Sequence, residues 1–374
     1  MPGLRNVLVV GGGAAGCAAA ILLARAGVEV DLVEIKPDVA ALGSGITVQG
    51  NALRVLRQLG VWDEVAASGY AFNTLGLRAP DGTLLVEMED VRSGGPDLPA
   101  TVGMYRPALA RILTDAAASA GAKLRYATTV ASLAQDSGGV DVTLADGTSG
   151  RYDLVVGADG VRSEIRSLLG IDLQPKPTGM GIWRVFAPRP DSVTRTDLYY
   201  HGYCYIAGYC PTADDSLYAY LVEDAQDRTR LTPGEKLADM RELAAHYHGP
   251  WDDIRAVMTN PGTINYTRFE THLLAPPWNR GRVVLIGDAV HTCPPTIAQG
   301  AALALEDAAV LADVVLAADT LDQAAFDAFT ARRYDRAKTV VDASVQLGQW
   351  MLDGVEGNVP ALVGKVMAVV SQPA

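Results

Sequence analysis

Gly11, Gly13 and Gly16 stand in the spacing GxGxxG, and an acid, Glu34, closes the apolar run that follows. Glycine at these positions permits a tight turn, close approach of backbone to a pyrophosphate, and close packing of a helix on its strand. The first N–H groups of that helix, from Ala14, Ala15 and Gly16, would have no partner inside it and are ready donors to phosphate oxygens. Glu34 is then placed to accept hydrogen bonds from ribose hydroxyls. The constellation fits a dinucleotide, and on these residues alone either NAD or FAD satisfies it.

The elements that must hold the turn are legible around it. Leu4 to Val10 is a short apolar, β-branched run, Ala14 to Ala26 is small and helix-favouring, and Val28 to Glu34 reads as a second strand. Strand, crossover helix and strand make a βαβ unit. Further buried strands are expected at Leu154 to Gly157 and Arg282 to Ile286, and helices at Pro107 to Ala120, Ala301 to Ala317 and Leu321 to Leu352. Between Ala71 and Pro99, and again from Pro175 to Asn279, alternation and turn signals replace this pattern, and seven of 14 tyrosines crowd between Tyr199 and Tyr220. The fold class expected is α/β. A Rossmann-like dinucleotide domain (1–70, 100–175 and 280–320) is interleaved with a β-sheet substrate domain (71–99 and 176–279), and C-terminal helices occupy 321–374.

Composition narrows the function. Of 374 residues, 31 are Lys or Arg and 43 are Asp or Glu, a formal charge of −12, which disfavours nucleic acid or an anionic membrane as partner. Apolar residues at 49% can bury a large core, yet no run approaches the roughly 18 to 20 apolar residues of a membrane span. Cys17, Cys204, Cys210 and Cys293 form no CxxC pair and no zinc-like set, so no metal is expected and a reduced, cytoplasmic chain is.

Two further stretches choose between the dinucleotides. Leu154 through Asp159-Gly160 to Arg166, and Gly287-Asp288-Ala289-Val290-His291 on through Pro295, Gln299 and Gly300 to Glu306-Asp307-Ala308, resemble two signatures of the group A flavoprotein monooxygenases, the p-hydroxybenzoate hydroxylase-like FAD enzymes. Tyr105-Arg106-Pro107-Ala108-Leu109 is similar to that family's Arg-x-x-Leu helix start, and Gly45-Ile46 through Asn51 to Leu59-Gly60 is a fourth match. The compact branch of salicylate, 3-hydroxybenzoate and urate hydroxylases is the nearest in pattern. Ala298 replaces a frequent glycine and Gly50 a frequent proline of the family.

The resemblance implies FAD as cofactor, NADH or NADPH as co-substrate, and hydroxylation of a small aromatic or N-heteroaromatic molecule by molecular oxygen through a flavin hydroperoxide. It implies that Asp288 contacts the ribityl or ribose region, that Asp159 and Gly160 lie near the pyrophosphate, and that Arg106 approaches the flavin. Pro295, Gly300 and Ala301 would present a helix start to the pyrimidine edge, where backbone N–H groups stabilise negative charge. His291 is expected to be structural. A prenyl reductase or antibiotic-modifying oxygenase of the same fold, or a flavin-binding redox sensor, stays open; a halogenase does not, since no tryptophan stands in a Trp-x-Trp-x-Ile-Pro string.

In this family a sheet covers the flavin and the substrate lies between them. Trp183, Arg184, Tyr203, Tyr205, Tyr209, Tyr220 and Pro295 are therefore the expected pocket, with Tyr203, Tyr205 and Tyr209 at every second position of one strand. Activation of a phenolic substrate calls for a group that removes its proton, and Tyr203, Tyr205, His201 and Arg184 are the catalytic candidates. The acidic chain carries a mild bias toward a neutral or N-heteroaromatic ring over a simple aromatic acid. A homodimer is compatible with these features.

Overall fold

The computed structural model describes residues 4–38 and 45–374. Five parallel strands run in the order Val283–Leu285, Leu154–Gly157, Asn6–Val10, Glu29–Glu34 and Lys123–Tyr126, with Asn279–Arg280 antiparallel at the edge. Both faces are covered, so the inner strands read as unbroken apolar runs rather than alternating ones; Val7, Leu8, Val155, Val156 and Val284 have no exposed surface. Helix Ala14–Arg25 packs between Arg106–Ser119 and Gly300–Ala317, and its small residues, Ala18 to Ala20 among them, let the helices and sheet approach closely. The long helix Gln323–Asp353 lies on Gly300–Ala317 and in turn receives the last helix, Val359–Val370.

A second sheet has eight strands, in the order His291–Thr292, Ile264–Leu273, Lys176–Pro188, Ser216–Asp224, Ile206–Pro211, Thr196–Tyr199, Thr74–Arg78 and Leu84–Glu89. The stretch 71–99 thus joins the strands of 176–279 in one sheet, and His291–Thr292 adds an edge strand from the far end of the chain. Alternation divides this sheet into two faces. Trp183, Val185, Leu217, Ala219, Leu221, Ala207 and Tyr209 form a core under helices Pro233–Ala244 and Pro250–Val257. The other face is set by register: Arg184 lies opposite Tyr220, Phe186 opposite Tyr218, Gly208 opposite Tyr220 and Cys210 opposite Tyr218.

A small sheet of Gly45–Gln49, Thr101–Tyr105 and Gly69–Phe72 abuts that second face. The approach is close enough to require glycine: a Cβ on Gly45 would lie 2.3 Å from the Tyr218 ring, and one on Gly103 would lie 2.0 Å from the Pro211 carbonyl oxygen. One strand starts later than its alternation suggests. Tyr203 and Cys204 fall in a bend, beside His201 at φ +58°, and extended pairing begins only at Ile206.

Candidate active site

The first turn is built on contacts that only glycine tolerates. Gly11 has φ +107°, and a Cβ there would sit 2.3 Å from the Ala158 carbonyl oxygen and 2.9 Å from the Asp159 Cα; a Cβ on Gly16 would lie 1.9 Å from the Gly11 carbonyl oxygen. These clashes fasten the helix start to its strand and bring Ala158-Asp159 against the turn. Gly13 differs: nothing lies within 4 Å of its would-be Cβ. The helix it opens carries no side-chain cap and no acid in its first turn, so its leading N–H groups face open space. Glu34 accepts hydrogen bonds from the Gly12 N–H (2.7 Å) and the Lys36 N–H (2.9 Å). It braces the turn and keeps lone pairs for ribose hydroxyls.

Asp159 is a cap in this structure. Its carboxylate accepts from the Ser163 hydroxyl (2.6 Å) and the Ile165 N–H (2.9 Å), while Gly160, at φ +84°, leaves open space where a Cβ would be. Gly287 sits where two helix starts meet, its would-be Cβ 3.0 Å from the Ala15 Cβ and 3.4 Å from the Ala304 Cβ. Asp288 follows it on the cleft wall: its surface is open to the cleft, yet surrounding protein desolvates it and raises its carboxyl pKa, with His291 and Arg106 opposing the rise. Pro295 is exposed in the turn Pro295–Ile297, and Ala298 takes the left-handed conformation (φ +54°) that launches helix Gly300–Ala317. That helix also starts without a side-chain cap or acid, and a Cβ on Gly300 would touch nothing within 4 Å.

Behind these loops lies a buried ionic network. Asp307 accepts from the Gly287 N–H (2.8 Å), His291 Nε2 (2.7 Å) and Arg333 Nε (2.7 Å). Glu306 accepts from Arg333 Nη1 (3.1 Å), Arg336 Nε (2.8 Å) and Asn51 Nδ2 (3.2 Å), and Asn51 also donates to the Gln299 side chain (2.9 Å). Burial pushes the Asp307 carboxyl up, but His291 and Arg333 outweigh it and hold it below its ordinary value. His291 is buried, and Asp307 holds it in this network. Arg336 and Arg54 also donate to carbonyls of residues 369–372, which fastens the C-terminal end of the last helix to the same network.

The arrangement fits FAD. Two helix starts have no side-chain cap, Gly13 and Gly300 leave open space where a Cβ would be, Asp288 is exposed, and Arg106 is an exposed guanidinium with no hydrogen bond or ion pair among the described residues. Gly11 packs against Ala158 and Asp159, and Gly287 packs against Ala15 and Ala304, so the three strings come together at the first turn. Among the described residues no cluster of His, Cys, Asp or Glu could hold a metal ion, and no helix is long and apolar enough to cross a membrane. All four cysteines are free.

The cleft face of the eight-stranded sheet departs from the residue set expected of it. Arg184 and Tyr220 are on it. Trp183 and Tyr209 are not: Trp183 faces the opposite core, where its indole N–H donates to Glu223 (2.9 Å), and the Tyr209 hydroxyl donates to Asp197 (2.7 Å) there. Tyr203 is 68% exposed and stacks on His246, with centroids 4.0 Å apart. Tyr205 donates to Asp224 (2.7 Å) and packs against the cluster of Met180, Ile182, Ile206, Val222 and Phe269, and His201 is an exposed turn residue. The reason is parity together with the bend at His201: strand pairing fixes Arg184 with Tyr220 on one side, which forces Trp183 to the other.

Tyr218 was missing from the expected set, although Tyr218 and Tyr220 stand two apart in Ser-Leu-Tyr-Ala-Tyr-Leu. Its ring lies 5.2 Å from that of Tyr220, and burial pushes its phenol up to about 12. The Tyr218 hydroxyl is 3.4 Å from Thr47 Oγ1, too long for a strong bond, so its proton is not committed. Arg184 Nη1 donates to Thr267 Oγ1 (2.7 Å) and has no carboxylate partner among the described residues. Desolvation, together with nearby Arg106, holds its pKa below the ordinary value.

The family model described as "FAD binding domain" matches residues 5–344. A 6-hydroxynicotinate 3-monooxygenase of Bordetella bronchiseptica is 32% identical over 364 residues, covering 91% of this chain and 90% of that protein. A putative FAD-dependent monooxygenase of Bacillus subtilis, YetM, is 29% identical over 99% of this chain and all of its own length. The tetrameric form of 2-methyl-3-hydroxypyridine-5-carboxylic acid oxygenase superposes with a TM-score of 0.81 at 26% identity, covering 98% of this chain and 96% of that one. With the glycine-built cradle and the cleft wall in place, these likenesses establish that the chain belongs to the FAD binding domain family and is a flavin-dependent monooxygenase of the aromatic hydroxylase type.

Proposed function

We propose that the enzyme uses NADH or NADPH and molecular oxygen to hydroxylate a small aromatic or N-heteroaromatic compound held by Arg184, Tyr218 and Tyr220. In the overall balance one oxygen atom enters a ring carbon, the other leaves as water, and the nicotinamide supplies the two electrons. Bound FAD supplies the oxygen activation and the electron transfer. The chain itself must bind the ring, orient it and keep water out.

The observation that carries this reading is a guanidinium without a carboxylate partner beside a phenol with an uncommitted proton, both on the cleft face. Arg184 favours an oxyanion on the ring, and an ionised hydroxyl makes the ring richer in electrons. Tyr218 stays protonated across the physiological range and donates to the same or a neighbouring oxygen. No histidine or carboxylate stands among the cleft-face positions 182, 184, 186, 206, 208, 210, 218, 220 and 222. Arg184 and Tyr218 then favour activation through the substrate's own oxyanion. The charges lining the cleft, not the net −12, set the potential the substrate meets.

Relatives named for 6-hydroxynicotinate and for 2-heptyl-3-hydroxy-4(1H)-quinolone support a hydroxylated nitrogen ring as the substrate class. The test is to screen such rings for stimulation of NADH and NADPH oxidation by the flavin-loaded protein. Stimulation coupled to a hydroxylated product supports the proposal. Oxidation that no ring stimulates, with NADH or with NADPH, contradicts it.

A further inference from the structure

Ala298 is the strained point of the turn that opens helix Gly300–Ala317. At φ +54° it holds the left-handed conformation, which crowds the Cβ of an L residue against the following carbonyl and which glycine takes freely. The turn itself does little to hold it there: the Ala298 N–H reaches the Pro295 carbonyl oxygen at 3.2 Å, the long end of the range for such a bond. A conformation of this kind persists only where the surroundings over-determine it.

Those surroundings come from strand Gly45–Gln49 and the helix start after it. Gln49 grips the turn on both sides of Ala298: its Nε2 donates to the Ile297 carbonyl oxygen (3.1 Å), and its Oε1 accepts from Gln299 Nε2. Asn51 Nδ2 donates to Gln299 Oε1 (2.9 Å), so the Gln299 amide is held at both of its ends. Thr296 Oγ1 donates to the Ser344 carbonyl oxygen (2.9 Å) and ties down the start of the turn. Alternation along the strand puts Gly45, Thr47 and Gln49 on one face, and Gly45 and Thr47 meet Tyr218, so a single strand braces both the substrate wall and this turn. What Gln49 fixes is the direction of the Gly300 and Ala301 N–H groups, which begin the helix and have no partner within it.

We infer that Gln49 is a positioning residue for the flavin: by holding Ala298 left-handed it keeps those N–H groups aimed at the pyrimidine edge, which favours the reduced, negatively charged ring over the oxidised one. The inference rests on the reading of this turn as the donor to that edge and is independent of the ring substrate. The test is the midpoint potential of bound FAD, measured against a reference dye with no substrate present. Gln49→Met removes both grips at nearly constant volume and should weaken binding of reduced relative to oxidised FAD about tenfold, a fall of about 30 mV in potential. Ala298→Gly added to Gln49→Met should restore most of that fall, because glycine needs no clamp to keep a positive φ. A Gln49→Met protein with the parent's potential, or a double variant no closer to the parent than the single one, would overturn the role. If Gln49→Met holds no flavin, the double variant decides: flavin retained at the parent's potential supports the clamp, and flavin absent or held at a lower potential overturns it. Gly300→Leu checks the placement of the turn separately. Nothing lies within 4 Å of a Cβ there, so the fold tolerates the side chain while FAD uptake should be lost; uptake equal to the parent's would take the turn away from the flavin and this inference with it.

Discussion

The cradle for the cofactor and the wall for the substrate are built by different means. The cradle is backbone: glycines where a Cβ would clash, helix starts without caps, and loops pinned from behind by buried ions. Its parts support one another, because Asp307 holds Gly287 while Arg333 holds Asp307 and Glu306 together. The wall consists of single side chains on a sheet whose stability comes from its opposite, helix-covered face. Damage to the cradle should therefore register as lost stability and lost flavin, whereas damage to the wall should register in turnover alone.

The sharpest separation is expected at the two arginines. Arg333→Met leaves buried Asp307 with His291 as its remaining side-chain partner and takes one of the arginines from Glu306, and should cost about 3–5 kcal/mol in urea unfolding, with loss of bound flavin on gel filtration. If Arg333→Met unfolds like the parent and keeps its flavin, the buried network is not what holds the loops.

A titration sharpens the same point. His272 Nε2 lies 2.9 Å from the carbonyl oxygen of Asp288, and burial lowers its pKa from 6.5 to about 4. The unfolded chain takes a proton below pH 6.5 and the folded one does not, so stability falls as pH drops from 6.5 toward 4. The His272 share reaches about 3 kcal/mol at the lower end. Measured as the difference between parent and His272→Gln, the pH slope in that window should shrink; equal slopes would exclude His272 from the acid response.

On the wall, Arg184→Met should leave unfolding within about 0.5 kcal/mol of the parent while kcat/KM falls roughly 100-fold, as expected for loss of a charge-assisted contact to the substrate. Tyr218→Phe removes only a hydroxyl and should raise KM about five- to tenfold with flavin content unchanged. A stability loss in either variant comparable to that of Arg333→Met would erase the distinction between the two regions.

The same contrast explains what sequence reveals. GxGxxG, Glu34 and Gly287-Asp288 are local strings whose spacing is dictated by a turn, so the cradle is readable along the chain. The wall depends on which face of a strand turns inward, and here both faces are apolar or aromatic: Trp183 and Arg184 are neighbours, and only pairing across strands sends one to the core and the other to the cleft. Positive φ at His201 then breaks the alternation that would have put Tyr203, Tyr205 and Tyr209 together. Arg333 left a usable signal, since it shares a helical stripe with Phe326, Phe329, Ala337 and Val340, all buried. A cation on a buried stripe implies buried acids, and Glu306-Asp307 were the pair to suspect.

The most direct test of the central claim is the source of the oxygen in the product. With the flavin-loaded enzyme, NADPH, oxygen-18 gas and a ring that stimulates oxidation, the product should carry one oxygen-18 atom, with NADPH consumed in equal amount. Label arriving from water instead, or NADPH consumed with only hydrogen peroxide formed, would contradict the account.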